Sequence, residues 1–187
     1  KNMRLFISGS APLLSETHEE FTKRTGHHIL ERYGMTETNM ITSNPYNGER
    51  RPGTVGKPLP DVEIQINDTQ TGRENADGEI GMIEVRGPNV FKGYWNMPDK
   101  TALELKENGF FITGDLGKLS SDGYLSIVGR EKDLIITGGY NVYPKEIEDV
   151  LNKLEKIDET AVFGISDNEF GERVVAAVVM AENESFD

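Results

Sequence analysis

Cysteine is absent from this sequence of 187 residues. Disulfide bonds and thiolate metal sites are therefore excluded, and the composition fits a reducing compartment such as the cytoplasm. Long apolar segments are also missing, since no run approaches the roughly 20 consecutive apolar residues of a membrane-spanning helix. The first residues, KNMRLFISGSAP, lack the apolar core of a secretory signal. We therefore expect a cytoplasmic protein without a membrane span.

Positive charge is scarce. The chain has 20 lysines and arginines against 32 aspartates and glutamates, which gives a net charge of −12. Such a chain repels nucleic acid unless basic residues cluster locally, and the sequence shows no basic cluster. The charge therefore argues against a nucleic-acid partner. It leaves open a small anion held by backbone amides or by a metal ion, because such sites depend on local geometry.

Histidine is also rare, with three in the chain. His27 and His28 are adjacent, so in a regular element their side chains point apart, and no cysteine assists them. The spacing of His18 from this pair fits no usual metal site. We expect all three to be surface residues beside a helix end.

The character of the sequence changes twice along the chain. RLFIS predicts a short strand, and SETHEEFTKRTG predicts a helix that Ser15 caps and Gly26 ends. Residues 53–123 instead hold short alternating segments such as VEIQI between Gly and Pro turns, which predicts a small sheet or barrel. After GREKD, Pro144 suits the first turn of a helix, and the strands TAVFGI and VVAAVVM follow. The sequence predicts a mixed α and β protein with a boundary near residues 130–133.

Three glycine-containing segments carry polar groups beside these elements. In SGSAP, residues 8–12, small side chains let the backbone approach a ligand, although alone it reads more readily as a tight turn. In ERYGMTETNM, residues 31–40, neither the helical nor the strand period fits, so we expect an irregular loop. In GFFITGDLG, Asp115 follows a strand and a glycine, where it would accept ribose hydroxyls or simply form a turn.

The YGMTE part of the second segment has groups suited to a nucleotide. Tyr33 offers a flat face for a base, Thr36 offers a hydroxyl, and Glu37 offers a carboxylate suited to a hard cation such as Mg²⁺. Alone, this segment is again most often a surface turn.

Taken together, the motifs resemble one family. SGSAP, YGMTE, FFITGDLG, GREKDLIITGGYNVYPKEIE and FGERVVAAVV occur in the order and spacing of the adenylate-forming acyl-CoA synthetases, the AMP-binding enzymes. Several long motifs in one order are far more specific than any single Gly-rich loop. LERYGMTETNM and NVFKGYWNMPDKT most resemble the malonyl-CoA synthetases. The resemblance implies an acetyl-CoA-synthetase-like fold, with residues 1–131 ending the large AMP-binding domain and residues 132–187 beginning the small mobile domain.

The resemblance also implies an activity. Such enzymes ligate a carboxylic acid, here malonate, to coenzyme A through an acyl-adenylate, with ATP and Mg²⁺, and release AMP and pyrophosphate. The family roles carry over to matching positions. In the nucleotide site, the resemblance implies that Gly9, Ser10 and Ala11 lie against one face of adenine, Tyr33 lies against the other, Gly34 lies beside the nucleotide, and Asp115 and Arg130 bind the ribose. It also implies that Thr36 binds phosphate, Glu37 binds Mg²⁺, Lys132 forms the hinge, and Gly139 lines the pantetheine tunnel. Met35 and Thr38 are candidates for the acyl pocket.

Departures from the family pattern limit the expected activity of this chain. The phosphate loop that precedes this region in the family and the late adenylation lysine are missing, so we expect an internal fragment that is inactive alone. Ser10 stands where many relatives have glycine. Arg50 and Arg51 are unassigned cations for a second carboxylate. Two alternatives stay open: another small-acid or fatty acyl-CoA synthetase, and a non-catalytic nucleotide-binding module.

Overall fold

The computed structural model describes residues 3–182. They form two compact units, with the boundary between Ile127 and Val128. Among these described residues, no helix is both long enough and apolar enough to cross a membrane. The predicted mixture of helices and short strands is confirmed in both units.

The first unit opens with a four-stranded sheet in the order β1–β2–β3–β4. Its elements are β1 (Ile7–Ser8), α1 (Ser15–Thr25), β2 (Leu30–Met35), β3 (Asn39–Ser43) and β4 (Lys57–Pro58). Strand β1 runs parallel to β2, and the remaining pairs are antiparallel. Helix α1 ends at Gly26, whose φ of 73° permits the left-handed cap, as predicted. The prediction that Ser15 caps this helix is wrong, because Ser15 is its first helical residue.

A second sheet follows in the order β5–β6–β7–β8. It comprises β5 (Glu63–Asn67), β6 (Gly81–Arg86), β7 (Phe111–Leu119) and β8 (Leu125–Arg130), with the short helix α2 (Pro98–Glu104) between β6 and β7. The alternating segments therefore form strands as predicted. Strands of both sheets supply one buried cluster: Tyr33, Ile41, Ile66, Ile83, Val85 and Leu125. This shared core joins the two sheets of the first unit.

The second unit carries an antiparallel sheet in the order β10–β9–β12–β11. A single 3-10 turn (Glu131–Asp133) precedes β9 (Ile135–Thr137), β10 (Tyr140–Val142), helix α3 (Pro144–Leu151), β11 (Ile157–Asp167) and β12 (Gly171–Met180). Pro144 lies in the first turn of α3, as predicted, where its missing N–H removes no helical bond. Helix α3 packs against β11. Ile135 and Val162 are buried in this unit.

Candidate functional site

The YGMTE segment forms the tip of a β-hairpin. Residues 31–35 belong to β2, residues 36–38 form the turn, and residues 39–40 begin β3. The prediction of an irregular loop is therefore wrong. Strand β2 begins with two consecutive buried residues, Leu30 and Glu31, and its register with β3 shifts between Tyr33 and Gly34. A regular alternation of apolar and polar residues therefore does not appear.

Gly34 is needed for this hairpin to close. A Cβ at this position would lie 2.1 Å from the carbonyl oxygen of Asn39 and 2.6 Å from Cε of Met40. The close backbone approach brings Thr36 and Glu37 to the tip, where Thr36 is exposed and Glu37 is half-buried. A hydroxyl and a carboxylate are thus presented side by side on a constrained turn.

Tyr33 and Asp115 are directly connected. The Tyr33 hydroxyl donates a hydrogen bond to Oδ2 of Asp115, and both residues are buried. The structure therefore brings together two motifs that lie 82 residues apart in the chain. Tyr33 also belongs to the hydrophobic cluster and is 9% exposed, so most of its ring is covered by this chain. Its stacking on adenine stays a prediction.

Asp115 does not follow the end of a strand, contrary to our expectation. It lies inside β7, where three residues, Thr113, Gly114 and Asp115, stand opposite the single residue Ile83 of β6. Gly114 has a φ of 74°, which a side chain would disfavour. This bulge interrupts the ladder and fixes the direction of the Asp115 side chain.

The SGSAP loop lies beside β2. It follows β1, which pairs with β2 from Ile7 opposite Leu30. A Cβ on Gly9 would approach Cγ of Arg32 to 3.2 Å, so the loop passes the residue that precedes Tyr33. Ser10 has a φ of 78°, a left-handed conformation that glycine adopts more readily than serine. Ser10 and Ala11 are exposed.

The two candidates for the acyl pocket differ in accessibility. Thr38 is fully buried, its N–H donates to the carbonyl of Met35 at 3.2 Å, and its carbonyl accepts from Asn89 at 2.8 Å. Met35 is half-buried at the end of β2. Thr38 thus serves the turn itself, and its role toward an acyl group stays a prediction.

Sequence reasoning missed Tyr94. Its hydroxyl lies 3.2 Å from Oε1 of Glu37 and 2.5 Å from Oε2 of Glu104. Burial raises the pKa of Tyr94 well above its ordinary value, and both carboxylates add to the increase. The only signal in the sequence was the NVFKGYWNMPDKT motif, whose spacing gives no reason to place Tyr94 beside Glu37.

A magnesium ion is compatible with the hairpin tip. Within residues 3–182, no group of three or more Asp, Glu, His or Cys side chains is arranged to hold a metal. Mg²⁺ is commonly bound through one or two carboxylates, substrate phosphates and water. The single carboxylate of Glu37, next to the exposed Thr36 hydroxyl, fits that mode of binding.

Arg130, Lys132 and Gly139 belong to the second unit. Arg130 ends β8 and Lys132 lies in the 3-10 turn, and both side chains are exposed. Gly138 and Gly139 have φ values of 56° and 82° and form the two-residue turn between β9 and β10. A Cβ on Gly139 would meet nothing within 4 Å. The turn alone therefore accounts for a glycine here, and the tunnel role stays a prediction.

The prediction that His18 is a surface residue is wrong. It is 1% exposed, and its Nδ1 lies 3.1 Å from Oε1 of buried Glu31. Burial raises the pKa of Glu31 above its ordinary value, while the bond to His18 acts in the opposite direction. His27 is half-buried and His28 is exposed. The pair of His18 and Glu31 joins α1 to β2 beneath the hairpin.

The two unassigned arginines are bound within the chain. Arg50 donates to the carbonyls of His28 at 2.7 Å and Tyr46 at 2.9 Å. Arg51 pairs with Asp122 at 2.9 Å. Each therefore has a structural role.

Comparison with known proteins identifies the family to which this chain belongs. The sequence model described as AMP-binding enzyme matches residues 1–95, about half of the chain, and the model described as AMP-binding enzyme C-terminal domain matches residues 146–187. The malonate–CoA ligase of Arabidopsis thaliana is 43% identical over 184 residues, which cover 98% of this chain and 29% of that protein. The long-chain-fatty-acid–CoA ligase of Bacillus subtilis is 42% identical over 182 residues, which cover 97% of this chain and 32% of that protein.

Solved structures agree with the expected fold. The crystal structure of ATP-bound MatB from Rhodopseudomonas palustris is 59% identical, with a TM-score of 0.95, over 99% of this chain and 37% of that chain. This chain thus spans about a third of the length of the proteins it matches. On the family match and this structural agreement, the chain belongs to the AMP-binding enzyme family.

Proposed function

We propose that the complete protein is an AMP-forming acid–CoA ligase, with malonate as its acid. The substrate carboxylate attacks the α-phosphorus of ATP and pyrophosphate leaves. The thiol of coenzyme A then attacks the acyl carbon, and AMP leaves as the thioester forms. The hairpin tip carries this proposal, because it presents Thr36 and Glu37 beside one another on a turn anchored by the bond between Tyr33 and Asp115.

The first unit supplies most of the nucleotide site in this proposal. The SGSAP loop, with Gly9, Ser10 and Ala11, covers one face of the adenine, and Tyr33 lies against the other. Gly34 lies beside the nucleotide in this proposal, and its lack of a side chain lets β2 and β3 stay close together. This arrangement is supported by the position of Gly9 beside Arg32, one residue before Tyr33.

The hairpin tip serves the phosphates. The Thr36 hydroxyl donates to a phosphate oxygen, and Glu37 holds Mg²⁺ through its carboxylate. When bound, Mg²⁺ neutralises the negative charge of the triphosphate. The protein contributes position and charge, and no side chain acts as a nucleophile.

The proposed conformational change moves residues 132–187, which make up most of the second unit. We assign residues 1–131 to the end of the large domain and residues 132–187 to the start of the mobile domain, with Lys132 at the hinge. Asp115 and Arg130 bind the ribose hydroxyls, and Gly139 lines the pantetheine tunnel in the thioester-forming state. The placement of Lys132 in a short exposed turn before β9 supports a hinge at this point.

The choice of malonate as the acid rests on the motifs and not on overall identity to relatives. A protein named malonate–CoA ligase and one named long-chain-fatty-acid–CoA ligase are 43% and 42% identical to this chain, so identity to these two does not separate the acids. The motifs favour malonate. Thr38 gives this choice no support because it is buried in the turn, and Arg50 and Arg51 give none because this chain binds both of them.

An acid panel on the complete protein tests the proposal. Thioester formation and AMP release are measured with ATP, Mg²⁺ and coenzyme A, using malonate, methylmalonate, acetate, a long fatty acid and an aromatic acid. We expect malonate to give the highest kcat/KM. Preference for the fatty acid keeps the ligase mechanism and overturns malonate. If no acid gives thioester or AMP while ATP binding is retained, the result favours a non-catalytic nucleotide-binding module.

A further inference from the structure

The Tyr94 hydroxyl lies between two carboxylates. It is 3.2 Å from Oε1 of Glu37 and 2.5 Å from Oε2 of Glu104. A phenol carries one proton, and here both carboxylates accept it in a three-centre hydrogen bond, with the shorter distance to Glu104. Glu104 thereby holds the phenol where its O–H also donates to Oε1 of Glu37.

Tyr94 is held from several directions. Its N–H donates to Oγ1 of Thr101 at 2.9 Å, and the ring of Phe91 packs edge-on at 4.8 Å. Nζ of Lys100 lies 4.2 Å from the centre of the Tyr94 ring. Both Thr101 and Lys100 are on α2, the helix that also carries Glu104. The orientation of the phenol is therefore set by α2 and the segment before it.

The same segment also holds the backbone of the hairpin tip. The N–H of Phe91 donates to the carbonyl of Glu37 at 2.8 Å, and Nδ2 of Asn89 donates to the carbonyl of Thr38 at 2.8 Å. Residues 89–94 thus fix both the main chain of Glu37 and one of its carboxylate oxygens. Among the bonds of residues 3–182, Oε2 of Glu37 receives none.

We infer that Tyr94 is a positioning residue for Glu37, and that its hydroxyl, anchored by Glu104, orients the carboxylate so that Oε2 meets the metal–nucleotide complex. The inference rests on the proposed function, in which Glu37 binds the metal. It predicts that the Tyr94 hydroxyl acts on metal affinity and not only on stability.

Binding of Mn²⁺ in the presence of ATP tests this inference on the complete protein. Mn²⁺ is chosen because its paramagnetic resonance reports bound metal without any turnover. Tyr94→Phe removes only the hydroxyl, and we expect Mn²⁺ affinity to fall about fivefold, the factor equivalent to a hydrogen bond of about 1 kcal/mol. Glu104→Gln keeps an acceptor for the phenol and should bind Mn²⁺ better than Glu104→Ala.

Tyr124→Phe is the matched control. Tyr124 is also in the first unit, and its hydroxyl donates to the carbonyl of Glu49 at 2.9 Å, away from the hairpin tip. We expect this variant to lose thermal stability while keeping the Mn²⁺ affinity of the wild type. Adenylation by Tyr94→Phe should be restored by raising Mg²⁺, which would not rescue a purely structural defect.

Two results would overturn the inference. One is a Tyr94→Phe protein that is less stable but binds Mn²⁺ like Tyr124→Phe. The other is wild-type protein that binds ATP but gains no Mn²⁺ affinity from it, because Glu37 would then not hold a metal. If the wild type binds Mn²⁺ and ATP but ligates no acid, the proposed function fails, while the comparison of Mn²⁺ affinities still decides the role of Tyr94.

Discussion

Replacing Gly34 by alanine tests whether the shape of the hairpin tip matters for activity. The new Cβ would lie 2.1 Å from the carbonyl oxygen of Asn39, so the two atoms must separate by about 0.9 Å to reach the 3.0 Å limit of real contacts. The obstacle is backbone, which cannot rotate away as a flexible side chain can. Inserting a methyl into such a closed space costs about 1–3 kcal/mol of folding free energy.

The same displacement affects catalysis. Thr36 and Glu37 follow the shifted position by two and three residues, and a misplacement of about 1 Å is enough to lower a rate about 100-fold. We therefore expect Gly34→Ala in the complete protein to lose about two orders of magnitude in the rate of acyl-adenylate formation. The loss in thermal stability should be moderate by comparison.

Gly129→Ala provides the control for this experiment. Gly129 also lies inside a strand, and a Cβ there would meet nothing within 4 Å. Both substitutions change the unfolded chain in the same way, so their difference reports the clash. Rapid-quench measurement of adenylate formation and a thermal melt are made on both variants. Wild-type rates in Gly34→Ala would refute the assigned role of the hairpin.

Three further predictions concern buried or strained positions. Tyr33→Phe removes the hydrogen-bond donor to buried Asp115, and a denaturant titration should show a loss of about 1.5–3 kcal/mol in the free energy of unfolding. The affinity for ATP should be nearly unchanged because the ring remains. A variant as stable as the wild type would contradict the role of this bond. Glu31 has a folded pKa raised above 4.5, so its stabilising contribution is present at lower pH and is lost as the pH rises through the folded pKa. The melting temperature of Glu31→Gln relative to wild type should therefore increase from pH 4.5 upward, and parallel curves would show that burial next to His18 does not control this titration. Gly139→Ala should report only the backbone strain of a φ of 82°. Gly139→Leu should slow thioester formation further, without slowing adenylation. Equal rates of thioester formation in the two variants would contradict the proposed place of Gly139 in the tunnel.

Local sequence signals were sufficient where one element depends on its own residues. Gly26 ends α1 and Pro144 lies in the first turn of α3, because a left-handed cap and a fixed φ are properties of single residues. The strands of the second sheet followed from alternation, as in β5. These features need no knowledge of distant parts of the chain.

Long-range packing explains the errors. Residues 31–40 form a hairpin because β2 pairs with β1 and β3, and the register shift between Tyr33 and Gly34 interrupts the period of two expected of a strand. His18 is buried and contacts Glu31, which is 13 residues away along the chain. Asp115 lies within β7 because a bulge opposite Ile83 lets the strand continue past Gly114. None of these arrangements has a local signature.

In the candidate site, too, contiguous motifs could be recognised from the sequence, whereas contacts between distant residues could not. Thr36, Glu37 and Tyr33 were proposed as candidates because they lie in one contiguous motif. The bond from Tyr33 to Asp115 and the contact of Tyr94 with Glu37 join residues that are 82 and 57 positions apart. The sequence could therefore name the groups on the hairpin tip but could not predict what holds them in place.

Malonate-dependent exchange of labelled pyrophosphate into ATP, measured on the complete protein, shows whether an acyl-adenylate forms. We expect exchange that requires malonate and a divalent cation, proceeds without coenzyme A, and is lost in Glu37→Ala. Exchange that appears only when coenzyme A is present, or thioester formation that releases ADP and not AMP, would contradict an acyl-adenylate intermediate.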